Sequence, residues 1–276
     1  MQLTCPVCKS NLNQQGKNLR CENNHSFDAA RQGYWNLLLA HKKRSKDPGD
    51  NTEMVASRRA FLDKGFYSPL SERINQLSIN SLNNRASPSI LDMGCGEGYY
   101  TNRLHEALQH EGITAELTGL DISKHAVKAA CLRNKGICWL VASGADIPIQ
   151  NESLDLQLVL FSRLMPEAFA KPMKADGTLM VAWPGKQHLI ELRKLIYQEI
   201  KTSQFNPEQT LSTHFSLQHQ EQVTYTFTLD SYADIATLLG MTPHSQRLSS
   251  EAKETICKQQ QLELTMDVNL GLFKRL

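Results

Sequence analysis

The sequence predicts an α/β protein: a doubly wound parallel sheet preceded by a small cysteine-rich module. Three observations carry that expectation. From about residue 88 the short apolar runs "SILDMG", "ELTGLDIS", "CWLVAS", "LDLQLVLF" and "TLMVAW" alternate with stretches of helical spacing, the pattern of parallel strands joined by crossover helices. Cys5, Cys8 and Cys21 cluster at the start, whereas Cys95, Cys131, Cys138 and Cys257 are scattered. The chain has 276 residues, room for a core domain of roughly 150 to 200 residues and one smaller unit.

The first element, "CPVCKSNLNQQGKNLRCENNH", spaces Cys5 and Cys8 as C-x2-C, leaves twelve residues, and closes with Cys21 and His25 as C-x3-H. Two short bites of that kind bring four soft-to-borderline ligands together and complete a tetrahedral zinc shell. Pro6 stiffens the first turn, and Gly16 lets the chain double back. A closed Cys3His shell keeps no open position, so the metal is expected to be structural, holding a segment too short to build its own core. The plainer alternative is three ordinary thiols and a surface histidine.

Next comes "FDAARQGYWNLLLAHKKRSKDPGD", aromatics and leucines running into a charged stretch with Lys42, Lys43, Arg44 and Lys46 inside five residues. Such a cluster clamps phosphates or merely stays solvated; charge alone leaves both open. Residues 1–64 hold 11 Lys/Arg against 6 Asp/Glu, and the remainder 19 against 22. A polyanionic partner would therefore be gripped mainly by the front of the chain. Asp50-x-x-Glu53 reads as a cap opening a helix with Met54, Val55, Arg58, Phe61 and Leu62 at helical spacing,. Tyr67 follows as a packing residue near a helix end. The organisation expected is a zinc-binding module over residues 1–40, a basic linker and helix over 41–69, and the α/β domain over 70–276.

The sharpest motif is "LDMGCGEGYYT", in which Asp92 precedes Gly94, Gly96 and Gly98 between a strand and a helix. Glycines there let the backbone approach a ligand closely. Asp121 ends the next strand, 25 residues beyond Gly96, where a carboxylate can accept both hydroxyls of a ribose. A third strand runs into "VASGADIPI", which places Ser143, Ala145 and Asp146 near an adenine. Three strand ends form one trough at their carboxyl edge. This D-x-G-C-G-x-G pattern resembles the Rossmann-like class I methyltransferases that use S-adenosyl-L-methionine, with a dinucleotide enzyme the weaker reading. Such an enzyme has mainly to align a nucleophile with an electrophilic methyl and exclude water. Cys95 reads as a small residue in a tight loop rather than as a nucleophile.

The segment after the fourth strand, "LVLFSRLMP", has neither the Asn/Asp-Pro-Pro-aromatic run of amino-group nucleic-acid methylases nor the Pro-Cys of cytosine C5 methylases. A ring nitrogen, an oxygen or a small molecule is the acceptor expected.

Together the Cys3His knuckle, "FDAARQGYWNLL", "KRSKDPGD", "EMVASRRAFLDKGFYSPL" and "LDMGCGEGYYT" resemble one family, the bacterial 23S rRNA guanine-N1 methyltransferases, and the likeness resumes at "PGKQHLIELRKLIYQEI". The resemblance implies Cys5, Cys8, Cys21 and His25 as zinc ligands. It implies Tyr67, Gly96, Glu97 and His188 as contacts of the methionine cofactor, to which the fold adds Asp92, Gly94, Gly98 and Asp121. The implied substrate is a guanine in hairpin 35 of 23S rRNA, nearer the type acting on guanine 745. Tyr34, Trp35, Phe161 and Trp183 are aromatic candidates for stacking on it, each also a candidate core residue. The chain departs from the family at Phe161-Ser162-Arg163, where relatives tend to carry a Tyr-Ala-Pro-like turn, and at Lys174-Ala175-Asp176-Gly177. A small-molecule methyltransferase and a catalytically silent rRNA-binding factor are the alternatives.

Composition is ordinary, 41% hydrophobic and 21% charged, without an apolar run of membrane-spanning length,. The N-terminus enters the cysteines with no apolar stretch before them. A cytoplasmic protein with no membrane partner is expected, with a homodimer as one possible assembly.

Overall fold

The computed structural model describes the chain apart from residues 44, 83–84, 201–204 and 243–247, so Arg44 of the basic cluster lies outside the described residues. At the N-terminus β1 (Asn13–Gln15), β2 (Asn18–Arg20) and β3 (Ser26–Asp28) form an antiparallel sheet in that order. Gly16 turns the first pair at φ 62°, a left-handed conformation that costs a residue without Cβ little. β4 (Trp35–Asn36) follows.

α1 (Thr52–Leu62) buries Val55, Phe61 and Leu62. Its cap is Asn51, whose side chain accepts from Met54 N at 2.9 Å. The sequence points to Asp50 for that role, but the Asp50 carboxylate is paired with Arg58 instead. Asparagine caps as well as aspartate does. α2 (Ser68–Ser81) has a proline in its first turn, where the missing N–H is harmless.

The α/β body runs β5 (Ser89–Met93), α3 (Tyr99–His110), β6 (Glu116–Asp121), α4 (Lys124–Arg133), β7 (Cys138–Val141), β8 (Leu154–Leu160), α5 (Pro166–Ala170) and β9 (Met173–Pro184). It closes with α6 (Ile190–Ile196), α7 (Pro207–Leu211), β10 (Phe215–Leu229), α8 (Tyr232–Met241), α9 (Ser250–Cys257) and β11 (Leu262–Arg275). The sheet order is β10-β11-β9-β8-β5-β6-β7-β4. Pairings from β9 through to β4 are parallel. β11 lies antiparallel to β9, and β10 antiparallel to β11, so two antiparallel strands close the parallel sheet. β10 is one edge strand and β4 the other, and exposed and half-buried residues alternate over 221–227 of β10. β8 is buried along its whole length, as a central parallel strand covered on both faces must be.

Both faces carry a core. Ile90, Leu156, Leu158 and Trp139 pack with Leu104 and Leu108 on one side. Leu91, Met93, Val159, Leu179 and Phe169 pack on the other, together with Leu3, Leu12 and Leu19 of the N-terminal sheet. The module is therefore welded to the body. β4 pairs with β7 through Trp35↔Leu140 and Asn36↔Val141, Leu3 bridges Ile149, and Asp146 takes both Lys9 and Lys42. Strand succession reverses at β5, with β6 and β7 to one side and β8 and β9 to the other. A ligand crevice forms at such a reversal, beyond the carboxyl ends of the strands.

Candidate metal centre and cofactor trough

The two bites of the N-terminal module meet. The donor atoms of Cys5, Cys8, Cys21 and His25 all lie within 4.8 Å of one another. Cys5 Sγ is 3.6 Å and Cys21 Sγ 3.4 Å from His25 Nδ1, and Cys8 Sγ is 3.6 Å from Cys21 Sγ. Zinc bonds of about 2.0 to 2.3 Å in a tetrahedral shell set neighbouring ligands roughly 3.5 Å apart, so the four atoms fit the ion. Each bite turns through a left-handed residue, Lys9 at φ 66° after Cys8 and Asn24 at φ 64° before His25. Backbone bonds close both turns, Lys9 N to Cys5 O at 2.8 Å and Asn24 N to Cys21 O at 3.0 Å. Hydrogen bonds from Asn23 and then Ser10 hold the Cys8 thiol down to about 5, whereas burial raises that of Cys5. A thiolate needs such donors to face a cation.

The trough is built from the glycine loop outward. Gly94, Gly96 and Gly98 all take positive φ, at 83°, 57° and 83°. A Cβ on Gly94 would stand 2.6 Å from Ser162 Oγ, and one on Gly98 2.8 Å from Trp139. The loop thus exists because these residues lack side chains. Gly94 N and Cys95 N donate to Leu120 O at 2.8 and 3.1 Å, which ties the loop to β6. Gly98 starts α3 without a side-chain cap, so the first amides of that helix face outward as donors with the positive end of the helix dipole.

The acids around the loop divide by environment. Asp121 accepts from Gly96 N at 2.9 Å through one carboxylate oxygen and from Ser123 N at 2.8 Å through the other. Each oxygen keeps lone-pair capacity for a hydroxyl. Burial raises its pKa, opposed by those two donors. Asp92 is 1% exposed and sits behind the loop, accepting from Thr101 Oγ1 at 2.6 Å while Oδ1 has no partner among the described residues. Burial pushes it up to about 7. Glu97 is also buried, and its carboxylate is committed to Arg133, with Nε at 2.9 Å. Arg133 takes only Oε2, and Oε1 is buried with no hydrogen-bond partner among the described residues. Burial likewise pushes the Cys95 thiol far up, which favours the protonated form.

The other sequence-predicted residues fall as follows. Tyr67 sits at the N-terminus of α2, 4% exposed, with its ring edge-on to Phe61 at 5.5 Å and to Phe227 at 6.1 Å. His188 follows β9 and stacks on Phe161 at 6.3 Å. Its Nδ1 accepts from Asp267 N at 3.4 Å, which leaves Nε2 as the nitrogen carrying the proton in the neutral ring. Phe161 follows β8 at φ 55° and 40% exposure, with Tyr100 6.4 Å away. Of the other stacking candidates, Tyr34 and Trp183 are buried at 3% and 9% and belong to the cores. Asp146 lies where the third strand end meets the N-terminal module, each carboxylate oxygen paired with one lysine, Lys9 or Lys42.

Sequence reasoning missed Arg58 and Asp267. Arg58 lies over the glycine loop, its Nη1 3.5 Å from the Cβ position of Gly96. Asp267 anchors the His188 loop by accepting from Gln187 N at 2.8 Å. Gly185 leaves the room for this, because a Cβ there would stand 2.2 Å from Asp267 Oδ1. The close glycine in "PGKQH" was the only signal available for Asp267.

A glycine-bare loop, an acid with acceptor capacity to spare and outward amides suit S-adenosyl-L-methionine, and the Cys3His shell suits structural zinc. The fold and site define a Rossmann-like S-adenosyl-L-methionine-dependent methyltransferase carrying a zinc ribbon. Comparison with known proteins agrees: the RlmA N-terminal zinc-ribbon family matches residues 3–46, and a methyltransferase-domain family matches residues 90–174. The 23S rRNA (guanine(748)-N(1))-methyltransferase of Streptomyces fradiae is 33% identical over 248 residues, 88% of this chain and 85% of that protein. YxjB of Bacillus subtilis (strain 168), whose name carries a provisional 23S rRNA (guanine-N(1)-)-methyltransferase assignment, is 31% identical over 96% of this chain and 94% of its own. The PH0226 protein of Pyrococcus horikoshii shares the fold, at TM-score 0.50 and 13% identity over 77% of this chain and 92% of that one. The chain belongs to the 23S rRNA (guanine-N1)-methyltransferase family.

Proposed function

We propose that the protein methylates N1 of a guanine in hairpin 35 of 23S rRNA, at position 745, using S-adenosyl-L-methionine held in the trough. The observation that carries this reading is that the basic N-terminal module lays β4 beside β7 on the sheet that bears the methyl-donor trough, alongside a family likeness spanning both. Residues 1–40 serve as the RNA-recognition module. Lys17, Arg31, Lys43 and Lys46 are exposed there and on the linker, free to meet phosphates, while Lys9 and Lys42 hold the module to the body.

Cys5, Cys8, Cys21 and His25 hold the zinc. Asp121 would accept the cofactor ribose, and Gly94, Gly96, Glu97, Gly98, Tyr67 and His188 would hold the rest of the cofactor. Asp92 acts from behind by bracing the loop through Thr101. Bound there, the cofactor supplies a methyl group made electrophilic by the adjacent sulfonium. Phe161, exposed beside His188, offers a face for the flipped guanine. Methylation at N1 would join the methyl carbon to the ring nitrogen as its bond to sulfur breaks, and the N1 proton would be lost to solvent. Burial of the ring against Phe161 excludes water from the line of attack.

Among the described residues no helix is long and apolar enough to cross a membrane. A cytoplasmic homodimer is the state we propose, checked by light scattering. The function is tested with purified protein, unmodified 23S rRNA and labelled cofactor. Label and a reverse-transcription stop at guanine 745 are expected. A stop at 748, the position named for the Streptomyces fradiae relative, would move the target, and no label in hairpin 35 would overturn the reading.

A further inference from the structure

We propose that Arg58 receives the α-carboxylate of the cofactor, exchanging its internal partner Asp50 for it. The inference rests on the trough being the cofactor site.

The glycine loop is surrounded by acid: Asp92 and Glu97 are buried within or behind it and Asp121 closes one side. S-adenosyl-L-methionine brings a sulfonium and an ammonium, which that environment favours, and a carboxylate, which it opposes. A carboxylate in this setting needs a cation. Arg133 is near but bound to Glu97 and Asp63. Arg58 stands on the loop itself, with Nη1 and Cδ 3.5 and 3.9 Å from the Cβ position of Gly96. Among the described residues, and apart from the two chain neighbours of Gly96, no other side chain comes within 4 Å of that position.

Arg58 reaches this spot because the segment before it is strapped along the end of β6. Gly49 packs on Ser123, where a Cβ would stand 2.8 Å from that side chain. Ser123 Oγ donates to Asp50 O at 2.6 Å, and His125 meets Asp47 at 2.9 Å and Thr52 at 3.1 Å. Ser123 also donates its backbone N–H to Asp121, so the strap begins beside the ribose acceptor and ends at the middle glycine. Across that span Arg58 donates to Asp50 Oδ2 and, through Nη2 at 3.2 Å, to Met241 O. Asp50 is an internal carboxylate on a guanidinium that faces the loop. A free carboxylate can take the same fork with no change of charge type.

The test compares two ligands by calorimetry on the intact protein: S-adenosylhomocysteine, which has the amino-acid end, and 5′-methylthioadenosine, which lacks it. In Arg58→Gln the first is expected to bind roughly ten- to a hundredfold more weakly, while the second stays within about twofold of wild type, reporting an intact trough. Arg58→Lys keeps the charge and is expected to fall between. Asp50→Asn removes the competing carboxylate and is expected to bind S-adenosylhomocysteine as tightly as wild type or more so. Equal weakening of both ligands would show that Arg58 only braces α8 through the Met241 carbonyl. That result, or unaltered S-adenosylhomocysteine binding in Arg58→Gln, overturns the assignment, and weaker binding in Asp50→Asn overturns the exchange. Failure of the wild-type protein to bind either ligand overturns the reading of the trough itself.

Discussion

Phe161 stacks on His188 with ring centroids 6.3 Å apart and planes inclined by 21°, so the end of β8 and the loop after β9 present one aromatic wall. Phe161 holds φ 55° to do so, a conformation that costs a side-chain-bearing residue roughly 1–2 kcal/mol. Strain kept at an exposed site points to use. Phe161→Gly is expected to leave stability unchanged or raise it by up to about 1 kcal/mol, read by urea unfolding. Its kcat/KM toward rRNA is expected to fall by one to two orders of magnitude, since stacking is worth about 1–3 kcal/mol per base. Unchanged S-adenosylhomocysteine affinity would assign the loss to the base. Full activity in this variant would remove Phe161 from the guanine site.

Removing the metal is expected to act through the whole chain, because Leu3, Leu12 and Leu19 share a core with Leu91 and Val159. Chelation, or Cys5→Ala, should release close to one zinc per chain, lower Tm and weaken rRNA binding about tenfold or more, as the phosphate-facing lysines lose their frame. S-adenosylhomocysteine binding should change little, because the loop and Asp121 depend on β5 and β6. Metal analysis, a thermal melt and filter binding suffice. A Cys5→Ala protein with full zinc and full RNA affinity would show that the four residues are not the shell.

What the sequence disclosed, and what it concealed, follows from range. The Cys3His shell was legible because two bites of fixed spacing have few other uses. The loop was legible because Gly94, Gly96 and Gly98 all need positive φ. The strands β5 to β9 were legible as apolar runs. The clamp of Asp146 on Lys9 and Lys42 spans 137 and 104 residues, and no local pattern encodes it. β4 has two residues, too few for a period. Arg58 looked like one more helix position because periodicity reports which face a residue takes, not what that face covers. The pairing of Glu97 with Arg133 spans 36 residues, and only the fold shows it.

Asp92 should give the fold a pH dependence of unusual sign. Its folded pKa, about 7 through burial, lies above the value of about 3.9 for an unfolded chain, so the folded state binds the extra proton. Its contribution is fully present below about pH 4 and is lost as pH rises toward the folded value. That opposes the common trend for paired carboxylates. In Asp92→Asn, which can still accept from Thr101, unfolding free energy relative to wild type should rise between pH 4.5 and 7 by on the order of 2–4 kcal/mol. Urea unfolding at the two pH values measures it. Parallel pH profiles for the two proteins would mean that Asp92 titrates normally.

Gly94 and Ser162 are coupled through space that no side chain can share. Gly94→Ala sets a methyl 2.6 Å from Ser162 Oγ at a φ of 83°, so steric clash and backbone strain act together. The single variant should lose on the order of 2–4 kcal/mol of stability and bind S-adenosylhomocysteine at least tenfold more weakly, because the displaced loop no longer aligns its amides. Adding Ser162→Gly removes the clash but not the φ. The double variant should therefore recover part of the loss and keep a residue of about 1–2 kcal/mol owed to the left-handed conformation. If Ser162→Gly restores nothing, the turn after β8 does not limit the loop, and the link between the cofactor side and the base side of the trough runs elsewhere.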